Sequence, residues 1–144
     1  MSIWTTVKFE DSILVEANVD KNGLGSALRV LRERRTLSLR EFSQLSDVDH
    51  AYIHRLEKGD KTSPTWETLK KLLKVLRVDD RETLIVRWLV DHPEADPAVV
   101  EYALNNNSID IEMCSAAAGV VPRETTRPSP EILFMRIRRI FSEA

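Results

Sequence analysis

The chain has 144 residues, of which 42% are apolar and 31% charged, which fits one domain or two small ones. Four Gly and six Pro exclude collagen-like and low-complexity classes. A single cysteine, Cys114, excludes an internal disulfide framework and a Cys-rich zinc site. No apolar run approaches the roughly 18 residues of a spanning helix, and residues 1–10 lack the regions of a signal peptide. We therefore expect a cytoplasmic protein that is neither exported nor embedded in a membrane.

Charge is unevenly distributed along the chain. Residues 1–24 carry two basic and four acidic side chains, residues 25–78 carry twelve and seven, and residues 79–144 carry seven and twelve. The middle segment therefore has a charge of +5 between flanks of −2 and −5. This asymmetry favours a polyanion-binding surface in the middle segment, with a solvated helix face as the alternative.

The first predicted elements are a hairpin and three helices. Apolar residues alternate over residues 7–19, which is typical of a short β-hairpin. Helical periodicity begins at Leu24. Ser38 and Glu41 form a capping box for a second helix, on which Phe42 and Leu45 are predicted to be buried. Asp49 caps a third helix, and Gly59 is placed to end it.

Further helices are predicted toward the C-terminus. A fourth follows Pro64 with Trp66 on its core stripe, and a fifth begins at the capping box of Asp79 and Glu82 with Leu84 on its apolar side. Others begin near residues 97 and 109, with Cys114 expected to be buried. After a polar linker at residues 122–130, a last helix carries an apolar stripe that we expect to mediate dimerisation, with folding back onto its own domain as the alternative: Leu133, Ile137, Ile140 and Phe141.

The second and third helices have the spacing of a helix-turn-helix, in which the second helix of the motif enters the DNA major groove. Ile53 and Leu56 form the apolar back of that helix. On the front, Arg55 is suited to pair with guanine and His50 to contact a base edge, and Ala51 is suited to touch a thymine methyl. The predicted DNA-binding residues are His50, Ala51, His54, Arg55, Lys58, Lys61, Thr62 and Arg40.

Several motifs carry a family resemblance. They are LRVLRERRTLS at residues 28–38, EFS at 41–43, VDHAYIHRLEKG at 48–59 and SPTWETL at 63–69. Over residues 24–90 the chain resembles the xenobiotic-response-element family of phage-repressor-like helix-turn-helix domains. The resemblance implies base contacts from the positions of His50, Ala51 and Arg55, phosphate contacts at residues 58–62, and an ion pair between Arg32 and Glu57.

Three positions depart from the pattern of that family. Asp47 stands where a turn Gly is usual, Ser43 where Ala is usual, and Asp49 where Ser or Thr often caps the helix. Asp47 can adopt the left-handed turn conformation at modest cost. Asp47 and Asp49 also place negative charge beside the DNA, which lowers the expected affinity more than it affects the fold.

These observations predict a mainly α protein. It would have a hairpin arm at residues 1–23, a five-helix repressor-like domain at residues 24–91 and a helical region for dimerisation or partner binding at residues 92–144. The expected function is a transcriptional regulator that binds double-stranded DNA as a homodimeric repressor at a palindromic operator. The alternative is an antitoxin that binds a toxin, and a regulatory peptidase is another possible partner. No phosphate-binding Gly loop, metal set or nucleophile–base pair indicates an enzyme or a cofactor.

Overall fold

A computed structural model describes residues 22–61, 63–118 and 128–143. These ranges form eight helices, in the order α1 (Gly23–Arg34), α2 (Leu39–Ser46), α3 (His50–Lys58), α4 (Trp66–Leu76), α5 (Asp80–Asp91), α6 (Pro97–Leu104), α7 (Ile111–Ala118) and α8 (Pro130–Glu143). They contain no strand. The hairpin predicted at residues 7–19 lies outside the described residues, as does most of the linker predicted at residues 122–130.

Helix beginnings follow the capping signals of the sequence. The Ser38 hydroxyl accepts from the Glu41 N–H at 3.0 Å, and the Glu41 carboxylate accepts from the Ser38 N–H at 2.9 Å. Asp79 and Glu82 make the same reciprocal pair at the start of α5. Both capping boxes are therefore confirmed. Since each satisfies two backbone donors that a helix start leaves open, each fixes where its helix begins.

One apolar core connects all eight helices. Five helices lie between Gly23 and Asp91, but they do not enclose a separate core, because α6 packs against α1. The predicted five-helix domain is therefore not confirmed as a separate unit, since α6 contributes Val99, Val100 and Ala103 to the same buried cluster as Leu24 and Leu28 of α1. The domain boundary after residue 91 stays a prediction.

Arginine side chains join the C-terminal helices to the rest of the fold. Arg81 of α5 donates from Nη1 to the carbonyl oxygens of Ala103 and Ile109, both at 2.8 Å, and from Nη2 to that of Leu104 at 3.2 Å. Arg34 of α1 donates to the buried Glu82 carboxylate at 2.5 Å and to Leu104 at 3.2 Å. The bonds to Ala103 and Leu104 satisfy carbonyls at the end of α6, where positive charge also interacts favourably with the helix dipole.

Three residues predicted to be buried are exposed. Leu45 is 63%, Leu84 50% and Trp66 41% exposed. On α2, Phe42 and Ser46 define the inward face, and the three-residue step from Phe42 places Leu45 at its edge. On α5, Leu84 lies outside the inward face, whose apolar residues are Ile85, Val86 and Leu89.

None of the helices within residues 22–61, 63–118 and 128–143 has the length and apolar character needed to cross a membrane.

Candidate nucleic-acid interface

The turn between α2 and α3 takes the geometry that a helix-turn-helix requires. Asp47 has φ 59° and ψ 35° and donates its N–H to the Ser43 carbonyl at 2.9 Å. The Ser43 hydroxyl in turn donates to the Val48 carbonyl at 2.6 Å. Two departures from the family pattern therefore fit the turn, because Asp tolerates the left-handed region and the Ser hydroxyl satisfies a turn carbonyl.

Helix α3 has a fixed back and an open front. Ile53 and Leu56 are fully buried, and Glu57 is 8% exposed. The exposed residues of α3 are His50, Ala51, His54, Arg55 and Lys58. The steps from Ala51 to Arg55 and from Arg55 to Lys58 are four and three residues, so these three side chains form one stripe along the helix.

The remaining predicted contact residues lie outside α3. Arg40 is exposed on the first turn of α2, and Lys61 is exposed just after α3. Gly59 ends α3 with φ 85°, and the N–H groups of Asp60 and Lys61 both donate to the Arg55 carbonyl, at 2.9 and 3.2 Å. These bonds hold Lys61 close to the last turn of α3. Thr62 lies outside the described residues.

A close backbone approach positions α3 against α1. A Cβ atom on Gly25 would lie 2.4 Å from the Glu57 carbonyl oxygen and 2.7 Å from that of Leu56, which is closer than any real side chain tolerates. Gly25 is not among the residues that the sequence predicted for this interface. A glycine in the first turn of a helix, where Ala would be the better helix former, is the signal that was available.

An ion pair holds the back of α3 in place. Arg32 donates from Nε to one oxygen of the Glu57 carboxylate at 2.7 Å and from Nη2 to the other at 3.0 Å. Its Nη1 donates to the Leu37 carbonyl at 2.7 Å. The hydrogen bonds to Glu57 raise the pKa of the Arg32 guanidinium above its ordinary value. The pair that the resemblance implied is therefore confirmed, and it connects α1, the segment before α2, and α3.

Acidic groups limit the positive charge near the front of α3. Asp47 and Asp49 are exposed beside its first turn. The Asp49 carboxylate accepts the Tyr52 N–H at 3.1 Å, so this charge also stabilises the N-terminus of α3. Base contacts from the first turn would therefore be made next to two carboxylates.

Comparison with known proteins identifies the segment that contains this geometry. A family described as a helix-turn-helix domain matches residues 24–84. The HTH-type transcriptional repressor RghR of Bacillus subtilis (strain 168) is 39% identical over 54 residues, which are 38% of this chain and 40% of that protein. The chain thus spans about two-fifths of the length of the curated relative it matches.

Proposed function

We propose that this chain, whose residues 24–84 match a family described as a helix-turn-helix domain, is a sequence-specific DNA-binding transcriptional repressor of the xenobiotic-response-element type that acts as a homodimer at a palindromic operator. The observation that carries the proposal is the exposed front of α3, which is held rigidly from behind by Ile53, Leu56 and the Arg32–Glu57 pair. A helix is about 10–12 Å wide with its side chains, which fits a major groove of about 12 Å. The name of the relative supports repression as the outcome.

The residues of the front have distinct roles in this proposal. Arg55 forms a bidentate contact with guanine, His50 contacts a base edge, and Ala51 lies against a thymine methyl. His54 lies one helical turn after His50 and contributes to the same surface. The phosphate contacts come from residues at the ends of the two helices and just beyond α3: Arg40, Lys58, Lys61 and Thr62.

Selection of binding sites from random double-stranded DNA tests the proposal. We expect the parent chain to enrich a two-fold symmetric site, and we expect Arg55→Ala and His50→Ala to relax the preference at separate positions of each half-site. A good base contact contributes about 1–3 kcal/mol of discrimination. The control is Lys70→Ala, which removes an exposed charge from α4 and should leave the enriched sequence unchanged.

Two results would contradict this proposal. One is the absence of any enriched sequence with the parent chain. The other is an enriched sequence that neither Arg55→Ala nor His50→Ala changes, since α3 would then not be the helix that reads the bases. Circular dichroism of each variant separates loss of contact from loss of fold.

A further inference from the structure

Helix α8 presents two different faces. Leu133, Phe134 and Ile137 are buried, and the Phe134 ring stacks on Tyr102 of α6 with centroids 5.3 Å apart. The stripe predicted to mediate dimerisation is thus divided: Leu133 and Ile137 pack within the chain, while Ile140 and Phe141 are 63% and 41% exposed.

The opposite face of α8 combines exposed apolar and charged side chains. Met135 is 62% and Ile132 44% exposed, and Glu131 and Arg139 are exposed beside them. Glu131 precedes Met135 by four residues and Arg139 follows it by four, so all three lie along one line of the helix. We call this set of four residues the outer face.

The charge pattern of the outer face is complementary to itself in one orientation. If two α8 helices pack antiparallel about a two-fold axis at Met135, Glu131 of each copy lies opposite Arg139 of the other. A parallel pair would instead place Glu131 against Glu131 and Arg139 against Arg139, which is unfavourable. In the antiparallel pair the two Met135 side chains meet at the axis, and the apolar surface of Ile132 is covered nearby.

We propose that the outer face of α8 is the homodimer interface, formed by antiparallel pairing with α8 of a second copy. This inference rests on the proposed function in one respect, namely that a palindromic operator requires a two-fold symmetric dimer. It specifies which surface supplies that symmetry.

The size of the outer face predicts a reversible dimer. The helix has 14 residues and is therefore about 21 Å long at 1.5 Å per residue. One helix pair of this length buries less than the roughly 1,600 Å² of a standard interface. We therefore expect the dimer to dissociate on dilution and to form most completely when two copies bind adjacent half-sites.

Variants of the full chain in which one charge of the outer face is reversed test this interface. Analytical ultracentrifugation without DNA, over about 1 to 200 μM protein, should show a monomer–dimer equilibrium for the parent. Glu131→Arg and Arg139→Glu should each weaken dimerisation at least about tenfold, because each creates two like-charge pairs. The double variant should recover most of the parent affinity, and Lys70→Glu, a charge reversal on α4, should leave it unchanged. Met135→Asp, which places two carboxylates at the axis, should also dissociate the dimer.

Three outcomes would overturn the interface: a monomeric parent at all these concentrations, a dimer that neither single reversal weakens, or a double variant as weak as the single ones. Site selection on the same preparations keeps this inference separate from the proposed function. A parent that selects a DNA site but forms a dimer insensitive to these reversals retains the function and rejects the interface. A parent that selects no site but dissociates as expected rejects the function and retains the interface.

Discussion

The Arg32–Glu57 pair is a largely buried polar contact between α1 and α3. The side chains are only 13% and 6% exposed. Removing one member of such a pair leaves the other charge without compensation, at a cost of about 3–5 kcal/mol. We expect Arg32→Met to lower the free energy of unfolding by an amount in this range, as measured by urea denaturation at neutral pH, and to weaken DNA binding through displacement of α3.

A second change distinguishes lost charge compensation from lost packing. Adding Glu57→Leu to Arg32→Met should recover much of the stability, since no buried charge then remains, although the Leu37 carbonyl still lacks its donor. Arg40→Met, an exposed change on α2, should remain within about 0.5 kcal/mol of the parent. An Arg32→Met variant as stable as the parent would show that the pair does not stabilise the fold.

The sequence predicted some of these residues and not others, for a physical reason. Asp47 and the two capping boxes could be predicted because their partners lie within four residues. The partners of Gly25 and Arg81 could not be predicted, because both residues act on backbone carbonyls 22 to 32 residues away in the chain. Every residue has a carbonyl, so such partners leave no compositional signal.

At the scale of elements, the helices were easier to predict than the faces they bury. Periodicity and capping located α1 to α8, but they placed Leu45 and Leu84 in the interior, where the structure has them exposed, and they favoured a dimer interface for Leu133 and Ile137, which are buried within the chain. A short helix with several apolar residues can orient any of two or three faces inward. Only the neighbouring helices decide which face is covered, as α6 and α7 do for α8.

Arg81 provides a test of how the C-terminal helices are attached. Arg81→Met would remove this donor from the carbonyls of Ala103, Leu104 and Ile109. Ala103 would keep the Asn106 N–H and Leu104 would keep Arg34, so the largest effect is expected at Ile109, and a buried carbonyl left unpaired costs about 1–3 kcal/mol. We expect a loss of about 1–3 kcal/mol in stability, together with faster amide hydrogen exchange in α6 and α7 than in α3.

The matched control for this prediction is Arg87→Met, six residues further along α5. Arg87 is exposed and lies over the Trp66 ring at 4.5 Å, a contact worth about 0.5–1 kcal/mol. Arg87→Met should therefore lower the free energy of unfolding less than Arg81→Met does, and it should leave amide hydrogen exchange in α6 unchanged. Equal effects of the two variants would argue against Arg81 as the attachment of α6.

For the whole molecule, the distribution of charge governs binding to DNA. The net charge is −2, so the chain as a whole is weakly repelled by a polyanion, and attraction must come from the basic segment at residues 25–78. Part of that positive charge is already neutralised within the fold, since Arg32 and Arg34 pair with Glu57 and Glu82. The exposed cations at the ends of α2 and α3 are therefore the groups expected to contact phosphates.

Binding to the selected operator should depend steeply on salt. If Arg40, Lys58 and Lys61 each neutralise one phosphate per subunit, six phosphates are neutralised per dimer. Each neutralised phosphate contributes about −0.9 to the slope of the logarithm of affinity against the logarithm of salt concentration. The expected slope is therefore about −5. Lys61→Ala should reduce this slope by about 1.8 per dimer and weaken binding equally on matched and mismatched sites, because phosphate contacts carry no sequence information. Arg55→Ala should do the reverse, relaxing base preference with little change of slope. Fluorescence anisotropy between about 50 and 300 mM salt measures both quantities. A flat salt dependence would exclude this surface as the phosphate contact, and a loss confined to matched sites in Lys61→Ala would assign Lys61 to base reading instead.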